Sequence, residues 1–144
     1  MEISKNQKEI ENRIFTIRGI QVMIDRDLAE IYGVETKALN QAVKRNIERF
    51  PDTFKFQLTE IEYNQYSRSQ FVTLKDQILN TKPKRGENLK YLPYAFTEQG
   101  VAMLSAVLRS ETAIKVSIQI MNAFVEMRKL VLDNAGLFHR LDKI

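Results

Sequence analysis

Asn40 and Gln41 carry side-chain amides that can pair two-pronged with an adenine edge, and Lys44 and Arg45 follow one helical turn later. Thr36 and Lys37 stand one turn before them. Spacings of three and four residues put all six on one side of a helix. Lysine and arginine reach guanine or phosphate, and a threonine near a helix start can contact phosphate. Arg49 extends the cationic row by another turn. Glu35 runs against the pattern, either steadying the helix N-terminus or accepting from cytosine. A second basic group, Lys82, Lys84 and Arg85, lies in Lys82-Pro83-Lys84-Arg85-Gly86-Glu87-Asn88, which contains both strong chain breakers. That segment reads either as a wing contacting phosphate or as a solvated connection between strands.

The elements that would hold the first group follow from Asp27-Leu28-Ala29-Glu30-Ile31-Tyr32-Gly33-Val34. A helix-turn-helix needs a small residue where its helices touch and a glycine or similar at the turn four positions later. Ala29 and Gly33 meet both requirements. Leu28, Tyr32, Val34, Leu39 and Ala42 stand where apolar side chains would hold the pair together. The first helix is expected over Arg26 to Tyr32 with Asp25 as its N-cap. The second is expected from Glu35 to Phe50 on an apolar period of Ala38, Leu39, Ala42, Val43, Ile47 and Phe50, with Pro51 as its stop. Such a unit lays its second helix in the major groove of duplex DNA. An ordinary helical hairpin with an alanine contact and a glycine cap fits the same residues.

Around the pair, Phe15 to Arg18 and Gln21 to Ile24 read as strands joined by a tight turn at Gly19-Ile20, and Phe54 to Leu58 as a strictly alternating strand. Thr59 should cap a short helix reaching Tyr66, and Phe71 to Thr81 stays ambiguous. Leu89 to Leu92 and Tyr94 to Phe96 look extended, with Pro93 placing them at a sheet edge. Thr97 should cap a helix containing Val101 and Leu104, and Ser110 should begin a last long one. From 110 to 132 that helix is apolar on more than one face, the mark of deep burial or of a shared surface. The expected fold is α+β: a winged-type helix-turn-helix with short strands and two long C-terminal helices. A polar N-terminal extension (1–13, frayed or a short helix) precedes a domain over 14–132. A tail follows at 133–144, where Leu137, Leu141 and Ile144 could open a coiled coil.

The 144 residues are enough for one core, and a net charge of +4 gives a mild attraction for polyanions. Cysteine is absent and histidine occurs once, so disulfides, thiolate metal sites and the usual nucleophile–base pairs drop out. No phosphate-cradling glycine loop occurs. Neither a signal-peptide core nor a run of membrane-spanning length is seen, so a cytoplasmic protein is expected, with no enzyme activity, cofactor, metal, membrane or small-molecule substrate. Duplex DNA is the expected partner. A homodimer through the last helix, to be probed at Ile118 and Ile120, is the alternative role.

Other polar residues favour structural readings. Asp25, Asp27 and Glu30 suit a helix's first turn better than a metal. Arg68, Ser69 and Gln70 read as capping or bridging a loop, and Glu98 as a partner of the helix dipole. His139 has no fixed partner. Tyr91, Tyr94 and Phe96 suit an aromatic strand packed on the last helices more than base stacking.

Longer blocks carry a resemblance. Ile17-Arg18-Gly19, Val22 to Ala29 and Tyr32 to Lys37 closely resemble the KilA-N-type domain of phage and bacterial proteins, in its ORF-six N-terminal branch. So do Val43 to Asn46, Arg49-Phe50-Pro51, Phe56 to Thr59, Arg68 to Thr73 and Tyr91 to Val101. The match spans about residues 14 to 130. It implies a DNA-binding domain of temperate phages or integrated elements, with relatives among antirepressor-like regulators.

Overall fold

The structure, a computed structural model, describes residues 7–74 and 92–142, with only the backbone described for 69–74 and 134–142. In chain order these form α1 (Gln7–Glu11), β1 (Phe15–Ile17), β2 (Ile20–Ile24), α2 (Asp25–Tyr32), α3 (Thr36–Arg45), a 3-10 turn (Ile47–Arg49), β3 (Lys55–Gln57), α4 (Glu60–Leu74), β4 (Tyr94–Thr97), α5 (Glu98–Leu108) and α6 (Glu111–Asp142). The fold is α+β, as the sequence implies. Of the two C-terminal helices, α6 carries the length, 32 residues against 11.

A four-stranded antiparallel sheet in the order β1-β2-β4-β3 forms the centre. The β1–β2 turn is Arg18-Gly19, both with positive φ (58° and 73°), the pairing that suits the twist of a two-residue hairpin. Strand alternation divides the core. Met23 and Phe96 face a main cluster built with α1, α2, α3, α5 and α6. Val22, Ile24 and Ala95 face a smaller cluster with Leu58, Tyr63 and Tyr66. Both faces of β2 are therefore buried, which makes its run of apolar residues necessary. The polar opening segment contains a short helix whose Ile10 is fully buried in the main cluster.

Several local expectations change. Asp25 is not the cap of α2 but its first residue: β2 runs into the helix without a loop, so Ile24 occupies the cap position and no side chain caps it. The helix expected over 35–50 stops at Arg45. Asn46 leaves helical geometry (φ −121°, ψ 35°), its side-chain nitrogen donates to the Ala42 carbonyl at 2.9 Å, and one 3-10 turn follows. Ile47 is consequently exposed rather than core. Val34 is also largely exposed and Ala42 half-buried, so Leu28, Ala29, Tyr32, Leu39 and Val43 hold the α2–α3 pair. Pro93 does not mark an edge: β4 lies between β2 and β3, and Pro93 precedes it with its carbonyl accepting from the Leu58 N–H at 2.9 Å. Arg68, Ser69 and Gln70 bridge no loop, because α4 continues through them. The strand expected at 89–92 lies mostly outside the described residues, as do Lys82, Lys84, Arg85 and Tyr91. The side chains of Leu137, His139, Leu141 and Ile144 lie outside them too.

Candidate nucleic-acid interface

Gly33 makes the turn between α2 and α3. It adopts the left-handed conformation (φ 76°), and the Gly33 and Val34 N–H groups donate to Glu30 and Ala29 carbonyls at 3.2 and 2.9 Å. That geometry is cheap for glycine and satisfies the open carbonyls at the end of α2. Ala29 is buried beneath the turn. α3 then buries Leu39 and Val43 and turns its other side outward.

On that outward side Lys37, Gln41, Lys44 and Arg45 are exposed, and Thr36 and Asn40 are half-buried. Thr36, Lys37, Asn40, Gln41 and Lys44 line one concavity. The structure thus brings five of the expected contact residues onto one surface. Arg45 and Arg49 lie beyond its end, in a second cleft with Arg109.

Asn40 is the best-defined member. Its Nδ2 donates to Asp25 Oδ2 at 2.9 Å. Asp25 is 4% exposed, and the same oxygen accepts the Tyr94 N–H at 3.3 Å. A carboxylate only accepts hydrogen bonds, so this contact fixes which end of the amide is nitrogen. One N–H is committed to Asp25; the carbonyl oxygen and the other N–H are not. Asp25, Arg26, Thr36 and Asn40 line a cleft of about 610 Å³ together with Gln57, Leu92, Pro93 and Tyr94. Tyr94 is half-buried and carries the Lys55 ammonium 4.3 Å from its ring centroid, while burial lowers the Lys55 pKa. Tyr94 packs against the main cluster and Phe96 is buried in it, which leaves the latter ring no access to a base.

Asp27, Glu30 and Glu62 tie elements together. Arg13 donates to Asp27 at 2.9 Å and to Glu30 at 2.8 Å, and Tyr66 donates its hydroxyl to the other Asp27 oxygen at 3.0 Å. Burial raises the Asp27 pKa above its usual 3.8, against the lowering pull of Arg13 and Tyr66. On the hairpin, Arg18 pairs with Glu62 at 2.8 Å and lies 4.1 Å from the Phe56 ring centroid. Glu62 also closes a reciprocal cap with Thr59, and its pKa is lowered, chiefly by the Arg18 hydrogen bond. Among the described residues no group of three or more His, Cys, Asp or Glu could hold a metal ion, and no helix is long and apolar enough to cross a membrane.

Two residues of the candidate surface are not apparent from the sequence. Asp25 was assigned to capping, and its pairing with Asn40 joins residues fifteen apart that meet only when α3 folds back. Arg109 went unremarked, although an arginine between two helices, before a serine cap, is a visible signal.

Compared with known proteins, residues 12–107 match the model of the ORF6N domain. No curated protein and no solved structure matches the chain.

Proposed function

The chain belongs to the ORF6N domain family, which is phage-associated, and on that footing we propose that it binds duplex DNA sequence-specifically through the outer face of α3. In this proposal α2 and α3 act as a helix-turn-helix, α3 enters the major groove, and the protein works by binding rather than by catalysis. The observation that carries the reading is the amide of Asn40, fixed by a buried carboxylate on a surface it shares with Thr36, Lys37, Gln41 and Lys44. Two-pronged pairing with adenine uses the amide oxygen and the N–H beside it, which leaves the second N–H for a protein acceptor. Asp25 is that acceptor. Lys37, Lys44, Arg45 and Arg49 then neutralise phosphates. Leu92 and Pro93 line the same cleft as Thr36 and Asn40. The kinship with KilA-N-type domains, a cytoplasmic location and an antirepressor-like role in a phage or prophage belong to the same proposal.

Selection from a random duplex pool at stated salt tests it. The wild type should enrich a motif and lose affinity steeply with salt. Lys44→Ala should weaken every duplex and flatten the salt dependence by about one phosphate. Asn40→Ala should instead lose discrimination worth about 1–3 kcal/mol at one base pair. Wild-type behaviour in both variants would remove α3 as the reader.

A second reading, self-association through α6, rests on Ile114, Ile118, Val125 and Leu132, which are exposed at intervals of four and seven. That spacing keeps them on one stripe, the pattern with which two copies of a helix pair. Ile118→Asp should lower the mass seen in light scattering while leaving the fold intact. Ile120 is fully buried in the main cluster, so Ile120→Asp reports on folding and not on the stripe. A wild-type protein that is monomeric at high concentration ends this reading.

A further inference from the structure

Beyond Lys44 the basic surface does not stop. α3 ends at Arg45 and α5 at Leu108, and between these ends lies a cleft of about 480 Å³ lined by Arg45, Asn46, Arg49, Ala106, Val107 and Arg109. All three arginines are exposed, and none makes an ion pair among the described residues. Among the described residues the one side-chain polar contact any of them makes is a long approach of Arg49 to the Met103 sulfur, 4.0 Å. Arg13, Arg18 and Arg128, by contrast, each hold a carboxylate, and Arg26 lies over the Tyr63 and Tyr66 rings. Three guanidinium groups around one cleft without a counter-charge repel one another, an arrangement that an anion in the cleft would relieve.

Arg109 adds an independent sign. It is the C-cap of α5 and adopts a left-handed backbone (φ 51°), with its N–H donating to the Ser105 carbonyl at 3.3 Å. Glycine or asparagine fills such a position with less strain. The backbone therefore gives no reason for an arginine, and the reason must lie in the side chain. Its origin is held firmly, because α5 begins at the Thr97 cap and Gly100 rests on the Phe54 backbone.

We infer that Arg45, Arg49 and Arg109 form a phosphate-binding site that takes a backbone phosphodiester of duplex DNA, next to the bases read by α3. The inference rests on the α3 reading above and extends it to a third element, the α5–α6 junction. The consecutive residues Lys44 and Arg45 join the two surfaces, one lining the α3 concavity and the other the cleft. Arg109 then clamps a phosphate from the far side of α3. The contact carries no sequence information and fixes the angle at which α3 lies in the groove.

The test uses the full chain, its selected duplex and a scrambled duplex of equal length, titrated over roughly 50–200 mM salt. Arg109→Asn removes the charge and keeps a residue suited to the left-handed backbone. It should weaken both duplexes by the same factor, about five- to tenfold near 0.1 M salt, and lower the slope of log K against log salt by about one. Arg109→Lys should keep the wild-type slope, and Arg49→Gln, at an exposed position, should reproduce the loss. Melting midpoints of all variants should equal or exceed that of the wild type. An unchanged slope in Arg109→Asn, with the wild type still binding its selected duplex, overturns the phosphate site and leaves the α3 reading standing. A wild type that binds neither duplex overturns both.

Discussion

Asp27 shows how much can depend on one buried carboxylate. Arg13 and Tyr66 hold it from opposite sides, and so it joins the segment after α1, the helix α2 and the covering helix α4. Arg13→Ala would leave a buried charge without its cation and should cost about 3 kcal/mol, read from urea unfolding at neutral pH. The pH dependence has a definite sign. Folded Asp27 holds its proton more tightly than the same residue in the unfolded chain, since its pKa lies above 3.8. Stability from this group is therefore greatest below that value and falls as pH rises through the raised pKa. Removing Arg13 raises the pKa further, so the deficit of Arg13→Ala relative to wild type should shrink between pH 7 and pH 4. A deficit that grows in acid would contradict this. Asp25 makes a parallel case for recognition. Asp25→Ala should blur the base preference at the Asn40 position without changing the salt slope, while Asp25→Asn, which still offers an acceptor oxygen, should keep the preference. Of these residues the sequence exposes the types but not the partners. Asn40 is legible as a candidate reader because its helical spacing places it beside Gln41 and Lys44. Asp25 is not legible as its support, because short acidic residues ahead of helices are usually caps.

Among the elements, α5 gives a structural account of a motif whose residue types also suit catalysis. In Thr97-Glu98-Gln99-Gly100, the Thr97 hydroxyl accepts the Gly100 N–H at 3.3 Å and lies 2.9 Å from the Thr53 carbonyl, and Glu98 pairs with Arg128 at 2.7 Å. A Cβ at Gly100 would collide with the Phe54 carbonyl oxygen. Gly100→Ala should therefore cost about 3 kcal/mol, seen as a lowered urea midpoint, by forcing α5 away from the chain entering β3. Thr97→Ala should cost about 1 kcal/mol as a lost cap. Thr97 is readable from the sequence as a cap because a hydroxyl before an acidic, helix-forming run has few other uses. The stop of α3 at Arg45 is less readable: Ile47 and Phe50 keep the apolar period going, and only the Asn46 side chain, turning back to Ala42, shows that the helix has ended. Pro93 misleads for a related reason. Its missing donor excludes it from a ladder, but it stands one residue before β4, where no ladder bond is required.

Across the whole molecule, charge is sorted by surface. Asp25, Asp27, Glu30 and Glu62 are engaged with cations or amides near the sheet, whereas Lys37, Lys44, Arg45, Arg49 and Arg109 stand along α3 and the end of α5 without carboxylate partners among the described residues. The net charge of +4 does not reveal this separation, because a sum over the chain says nothing about which charges are paired. Fold class and the α2–α3 pair are visible in sequence since both rest on local periodicity and one turn glycine. Sheet order and the convergence of Arg109 on α3 are not, since they arise from long-range pairing. One feature of the fold governs how α3 can meet a partner. β2 passes into α2 with no intervening residue, and both faces of β2 are buried, so the helical pair cannot swing without bending the sheet. If α3 reads DNA as proposed, the protein should meet the double helix already in shape, with little ordering entropy to lose, and any fitting between the two should come from deformation of the DNA.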